Sequence, residues 1–117
     1  MPVINRDAAT TEDVYPGVPR TALVDATQAA KSLSLAHLDV AAGATIGTHI
    51  HPNIEEAMVI VDGELEAVLG DERISVQSGD TVLAPAGVKH GFVNRSSAKA
   101  SLLAIFPTTD IQRVPVE

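Results

Sequence analysis

Short intervals between turn-forming residues are the feature of this sequence that most limits its fold. The chain of 117 residues contains 8 Gly and 7 Pro, and the apolar segments between them are only a few residues long. No segment sustains the apolar period of a helix, and single helical turns are predicted only for residues 27–32 and 107–112. Short apolar runs bounded by turn residues are typical of strands. The sequence therefore predicts about eight to ten short strands in one all-β domain, as in a sandwich or a barrel.

The predicted strands are separated by recognisable turns. Asp62-Gly63 is the strongest hairpin signal, because a type I′ turn needs positive φ, and the flanking strands are predicted to pair with each other. A second turn is predicted at residues 70–73. The predicted strands cover residues 33–40, 57–61, 65–69, 74–76, 81–84, 91–93 and 102–106.

The two ends of the chain differ in what they are expected to do. Residues 1–20 contain three prolines and are predicted to form an N-terminal arm, whereas residues 21–117 are predicted to form a single barrel domain. Aromatic residues make up only 3% of the chain, so the core must be built from Val, Ile, Leu and Ala. Strand 33–40 is apolar on both faces, and we expect the arm or a second subunit to cover its outer side.

Charge and composition exclude several classes of partner. The chain has 15 Asp and Glu against 8 Lys and Arg, a formal net charge of −7. Nucleic-acid phosphates and anionic lipids need basic residues, so neither nucleic acid nor a membrane is expected as a partner. No Cys is present, which excludes disulfides and thiolate chemistry. The first residues lack a signal-peptide pattern and no apolar run approaches the ~20 residues of a membrane span, so we expect a cytoplasmic protein.

Three of the four histidines fall in two segments with glycines at fixed spacing. The first segment reads Gly43-x5-His49-x-His51-x4-Glu56-x6-Gly63 and the second reads Gly79-x5-Pro85-x-Gly87-x2-His90-x3-Asn94. Both segments resemble the two motifs of the cupin superfamily and match them at each signature position. The first motif accepts a glutamate at 55 or 56, but only Glu56 also leaves six residues before Gly63. We therefore assign the motif position to Glu56.

The resemblance implies a double-stranded β-helix, or jelly roll, with a metal site inside the barrel. The implied ligands are His49, His51, Glu56 and His90. The residue pattern agrees with this, because His49 and His51 are two apart and project to the same face of a strand. Three imidazoles and one carboxylate suit one divalent transition metal, for which we favour Fe or Mn, with Zn, Ni, Co and Cu also accepted. Four protein ligands of an octahedral ion leave two positions for water, O₂ or substrate.

The resemblance leaves the reaction open, because one fold serves many functions. The leading hypothesis is a dioxygenase-like metalloenzyme that acts on a small organic substrate bound in the barrel. It rests on the absence of a spare His, Lys or Tyr predicted in the lumen, with Glu56 as ligand or base. The second hypothesis is a non-oxidative isomerase, lyase or cyclase, which a second polar cluster in the lumen would favour. The third is a non-enzymatic module that binds metal and a small ligand.

Several further side chains have two interpretations. Met58 and Ile60 alternate inward with Glu56, and Phe92 follows His90, so these three form either barrel core or the apolar wall of a substrate pocket. His37 lies in neither motif and is interpreted as a packed or surface residue. Tyr15 and Arg20 cap either the pocket mouth or the barrel of a partner. A homodimer is expected, because small single-barrel cupins resemble one another in pairing sheet to sheet.

Overall fold

Two antiparallel sheets face each other in the computed structural model, which describes residues 2–116. The strands are β1 (Thr11–Tyr15), β2 (Val18–Val24), β3 (Ser34–Val40), β4 (Thr45–Ile50), β5 (Glu56–Asp62), β6 (Glu64–Leu69), β7 (Glu72–Gln77), β8 (Thr81–Ala84), β9 (His90–Val93), β10 (Ala100–Phe106) and β11 (Val114–Pro115). One sheet has the order β1-β2-β3-β10-β5-β8 and the other β11-β4-β9-β6-β7. The predicted all-β jelly roll is confirmed.

The core lies between the sheets because the strands alternate buried and half-buried residues. β3 alternates strictly along its seven residues, and β5 and β10 bury the facing positions Ile60 and Leu102. Burial of a large aliphatic or aromatic side chain stabilises the fold by roughly 1.5–3 kcal/mol. Phe92 and Phe106 are the buried aromatic residues, and the rest of the core is aliphatic as predicted.

The turn at Gly63 forms, but the predicted pairing of the two strands beside it is wrong. Gly63 has φ +79°, as a tight turn requires. It does not close a hairpin, however, because β5 pairs with β10 and β8 whereas β6 pairs with β7 and β9. Gly63 therefore marks the point where the chain crosses from one sheet to the other. The strands that pair with β5 are decided by burial of its alternating apolar face against segments distant in sequence. A local turn signal such as Asp62-Gly63 carries no information about these long-range pairings. The hairpin turn at Gly70 does join paired strands, β6 and β7.

The two predicted helical turns have different outcomes. Near the first, a short 3-10 helix spans Ala26–Gln28, and Asp25 caps it by accepting a hydrogen bond from the Thr27 N–H at 2.9 Å. The second prediction is wrong, since residues 107–112 form bends and irregular chain without a helical turn. Two of their carbonyls accept hydrogen bonds from side chains distant in sequence and not from helical N–H groups. The Thr108 carbonyl accepts from Ser34 Oγ at 2.6 Å, and the Gln112 carbonyl accepts from His51 Nδ1.

The N-terminal segment lies alongside β3 in the sheet. β1 and the first half of β2 fall within residues 1–20, and Val18 is fully buried. Thr11 and Thr21 share a hydrogen bond of 2.7 Å between their hydroxyls, which ties β1 to β2. The segment thus extends the sheet through β1 and β2, and the division into arm and barrel at residue 20 stays a prediction. Among residues 2–116, no helix is long and apolar enough to cross a membrane.

Candidate metal centre

Four buried side chains converge between the two sheets. The potential ligand atoms of His49, His51, Glu56 and His90 all lie within 4.8 Å of one another. His49 is in β4 opposite His90 in the β9 ladder, His51 follows β4 directly, and Glu56 is the first residue of β5. The four residues are each only 2–7% exposed to solvent. The neighbouring Glu55 is exposed, so the structure brings Glu56 and not Glu55 to this point.

Backbone carbonyls fix the orientation of all three imidazoles. The Nδ1 atoms of His49, His51 and His90 lie 2.8, 2.7 and 3.0 Å from the carbonyl oxygens of Gly47, Gln112 and Val88, respectively. A carbonyl only accepts, so each Nδ1 carries a proton and donates it. In a neutral imidazole the other nitrogen, Nε2, is then an unprotonated electron-pair donor. Histidines that bind a metal through one ring nitrogen usually donate the N–H of the other to a carbonyl or carboxylate, which fixes the orientation of the ring.

The spacing of donor atoms suits a common ion. Glu56 Oε1 lies 2.9 Å from His90 Nε2 and 3.1 Å from His51 Nε2. Two donors bonded at right angles to one ion, each at ~2.1 Å, are ~3.0 Å apart.

One nitrogen at the centre has no hydrogen-bond partner. Within the described chain, His51 Nε2 is the one buried side-chain nitrogen or oxygen atom without one, because its contact with Glu56 lacks hydrogen-bonding geometry. A buried polar atom left unpaired costs roughly 1–3 kcal/mol. A cation at the centre of the cluster would satisfy this atom together with the other three donors. Three imidazole nitrogens and a carboxylate therefore fit a divalent first-row metal.

The local electrostatics keep the carboxylate ionised. Burial raises the pKa of Glu56, but its close polar contacts with His51 and His90 outweigh this and hold the pKa below its usual value. Burial lowers the pKa of His49 and favours its neutral form. Burial also lowers the pKa of His51, but the interactions of its ring with Glu56 and with the Gln112 carbonyl outweigh burial, so the pKa of His51 lies above its usual value. Glu56 and His49 are thus already in the protonation states that a metal requires.

A cavity of about 340 Å³ opens beside the cluster, and three of the four side chains, His49, His51 and Glu56, line it. Its polar lining comprises His49, His51, Glu56, Tyr15, Arg20 and Arg113. Its apolar lining comprises Val14, Leu38, Ile46, Ala104, Phe106 and Ile111. A larger groove of about 460 Å³ along β6 and β7 contains none of the four converging side chains.

Tyr15, Arg20 and Arg113 form a second polar cluster at this cavity. The sequence left open whether Tyr15 and Arg20 face this barrel or a partner, and both line the cavity of their own chain. Arg113 Cζ lies 5.4 Å from the centre of the Tyr15 ring, and the Tyr15 hydroxyl donates a long hydrogen bond of 3.5 Å to the Gly47 carbonyl. Sequence reasoning missed Arg113, because its position depends on the pairing of β11 with β4, for which the sequence has no local signal.

The remaining predicted residues lie away from the cavity surface. Met58, Ile60 and Phe92 are 1–2% exposed, and the cavity is lined by other residues. They fill the barrel core, and their part in a substrate pocket stays a prediction. His37 is half-buried on the outer side of β3, 3.8 Å from Asp39, in agreement with its assignment as a packed or surface residue.

Comparisons with known proteins agree with this architecture. A family model for the cupin domain matches residues 36–106. A germin-like protein of Morus alba is 33% identical over 89 residues, which are 70% of this chain and 43% of the relative. Quercetin 2,3-dioxygenase of Bacillus subtilis (strain 168) is 39% identical over 44 residues, 38% of this chain and 13% of that protein. The chain thus spans less than half the length of these curated relatives.

Among solved structures, the polyketide cyclase RemF from Streptomyces resistomycificus superposes on the whole chain. The TM-score is 0.87 at 22% identity, with 100% of this chain and 86% of that chain covered. At this identity the likeness shows the fold. The resemblance drawn from the two histidine motifs and the barrel that it implied are both confirmed.

Proposed function

The chain belongs to the cupin family, and we propose that it is a metalloenzyme that rearranges or cleaves a small organic substrate without net oxidation. The observation that carries the proposal is the unpartnered Nε2 of His51, which points into a buried cluster of three further donors. When bound, a divalent metal supplies Lewis acidity toward a carbonyl or hydroxyl oxygen of the substrate. The four donors accept Fe, Mn, Zn and neighbouring metals, with Fe or Mn as our first choice.

Glu56 is the proposed catalytic base. It is the only carboxylate among the residues that line the cavity. A carboxylate at this position can take a proton from a substrate carbon next to a polarised carbonyl, the step shared by isomerases, cyclases and many lyases. The imidazoles are held in place by backbone carbonyls, so they would keep the metal bound while Glu56 detaches from it to take the proton.

The second polar cluster favours the non-oxidative reaction over the dioxygenase-like one. The dioxygenase hypothesis rested on a lumen without spare polar groups, whereas Tyr15, Arg20 and Arg113 line the cavity. Such groups can orient a polar substrate and stabilise charge that develops on its oxygens. The fold of a polyketide cyclase over the whole chain is in keeping with a non-oxidative reaction.

The mass of the product tests this proposal. The protein loaded with Fe(II), Mn(II) or Zn(II) is incubated with a panel of aromatic β-keto carbonyl compounds in air and under argon. We expect products with the mass of the substrate, or lighter by an eliminated fragment, formed at the same rate in both atmospheres. The Glu56→Gln variant is expected to be at least about 100-fold slower, the scale of one positioned general base. Products that contain two added oxygen atoms and form only in air would contradict a non-oxidative reaction.

A dioxygenase is the second candidate function. The observation in its favour is the local match to quercetin 2,3-dioxygenase over 44 residues. It predicts O₂ uptake by the Fe(II)- or Mn(II)-loaded protein in the presence of enol, diketone or catechol-type substrates, and no turnover with Zn(II). Oxygen-electrode measurements with the same panel separate the two candidates.

We also propose that the chain forms a homodimer through the outer face of its six-stranded sheet. Leu83 is 53% exposed, and it is in register with Ala57, Ile105 and Leu35 across four strands. These neighbours are half-buried on the side away from the core. Contiguous apolar surface of this kind is typical of protein interfaces. Light scattering is expected to give the mass of two chains and, for the Ile105→Lys variant, the mass of one; a single-chain mass for the unmodified protein would overturn the proposal.

A further inference from the structure

Two arginines at the cavity form no ion pair with any residue between 2 and 116. Among the ion pairs between residues 2 and 116, basic side chains take part at Arg73, Arg95, Lys89 and Lys99, but neither Arg20 nor Arg113 does. The chain has nearly twice as many acidic as basic residues, 15 against 8. Glu12 and Asp25 line a neighbouring cavity together with Arg20, but among the described residues neither guanidinium is neutralised by a close ion pair, so the two bring positive charge to one cavity of an acidic molecule.

No carboxylate of the cavity is free to compensate these charges. Glu56, the one carboxylate among the residues that line the cavity, faces the histidine cluster, with its Oε1 2.9 Å from His90 Nε2 and 3.1 Å from His51 Nε2. Arg113 is held over the Tyr15 ring, which restrains the guanidinium at the cavity rim. Planar guanidinium groups match the geometry of a carboxylate or enolate oxygen pair, which an ammonium does not.

The rest of the lining is apolar. Leu38, Ile46 and Phe106 are among the apolar residues that line the same cavity. Ligand cavities with mostly apolar walls and few polar groups bind the ligand body by burial and use the polar groups to select its head.

We infer that this cavity takes an organic anion, a carboxylate or enolate carried on an apolar body, and that Arg20 and Arg113 determine this specificity. The inference rests on the proposed function in one respect, because it assumes that the substrate enters the cavity beside the four converging side chains. The inference adds the charge of the substrate, which the four converging side chains alone do not determine.

The single tyrosine of the chain gives a direct readout. The sequence has one Tyr and no Trp, so near-ultraviolet emission arises from Tyr15 at the cavity. The probes are cyclohexanecarboxylate and its neutral analogue cyclohexanecarboxamide, titrated into chelator-treated and into Zn(II)-loaded protein. We expect saturable emission changes in both forms, with the carboxylate bound about tenfold or more tightly than the amide, the scale of a charge-assisted hydrogen bond.

Variants assign the selectivity to the two arginines. Arg20→Met and Arg113→Met are each expected to reduce the preference for the carboxylate, and Arg20→Lys, which keeps the charge, is expected to retain part of it. The matched control is Arg6→Met, which removes an exposed arginine that also lacks an ion-pair partner. The control is expected to bind both probes like the unmodified chain. Circular dichroism verifies that each variant is folded.

Two outcomes would overturn the inference. One is equal affinity for carboxylate and amide. The other is a carboxylate preference that appears only with Zn(II) and survives both methionine variants, since the anion would then bind the metal and not the arginines. A chain that selects the carboxylate through Arg20 and Arg113 but binds no metal would support the inference and refute the proposed function, so the two failures are distinguishable.

Discussion

Replacing His51 with alanine is expected to reduce metal affinity by at least about 100-fold, because loss of an outer partner alone typically costs 10–100-fold. His51 contributes the nitrogen that lacks any other partner, and its ring is held from behind by the Gln112 carbonyl. The variant removes one of four donors and leaves that carbonyl without its side-chain partner. Competition with a metal-indicator dye measures the affinity. The control is His37→Ala, because His37 lies outside the cluster on the outer side of β3.

The same variant separates metal binding from folding. A metal that binds only the folded chain stabilises it by about 2.7 kcal/mol when its free concentration is 100 times the dissociation constant. The unmodified protein and His37→Ala should therefore melt at a higher temperature with Zn(II) than after chelation, whereas His51→Ala should show almost no difference. Equal stabilisation of both variants by the metal would contradict the assignment of His51 as a ligand.

Replacing Gly63 with alanine is expected to destabilise the fold by about 3 kcal/mol, a sum of a left-handed backbone penalty of about 1–2 and an overpacking penalty of about 1–3. Gly63 has φ +79°, and a Cβ there would lie 2.9 Å from both the Ala100 Cα and the Lys99 carbonyl oxygen. These are backbone atoms at the start of β10, the strand that pairs with both β3 and β5, so they cannot move aside without disturbing the sheet.

Gly43 provides a matched control for this effect. Its φ is also +79°, but a Cβ there would meet nothing within 4 Å. Gly43→Ala should therefore show the backbone penalty alone, about 1–2 kcal/mol. Urea unfolding followed by circular dichroism measures both variants. An equal decrease in the free energy of unfolding for both variants would contradict the close packing of Gly63 against the backbone at the start of β10.

The sequence predicted those parts of the fold that depend on local rules. Alternating apolar residues defined most core strands, and β8 was predicted with its observed bounds, Thr81–Ala84. The four side chains of the cluster were identified together because they occupy the signature positions of the two motifs that resemble those of the cupin superfamily. Asp62-Gly63 shows the limit of such rules, since the turn was right and the strand partners were wrong.

The parts that sequence reasoning missed depend on contacts between distant segments. Arg113, which the sequence missed, reaches the cavity because β11 pairs with β4, and Tyr15, whose place the sequence left open, does so because β1 and β2 extend the sheet beside β3. Neither pairing has a local signature, because a two-residue strand is too short for a pattern and β1 is almost entirely exposed. The positive charge at the cavity rim, and with it the expected negative charge of the substrate, could be inferred only once the structure had brought these residues to one cavity.

The measurement that tests the central claim most directly is the metal content of the untagged protein, purified without added metal and analysed by elemental mass spectrometry. One four-donor cluster predicts about one divalent transition-metal ion per chain. Content below about a tenth of an equivalent, with no gain after reconstitution with Fe(II), Mn(II) or Zn(II), would contradict the account, because donors in these protonation states should bind such an ion.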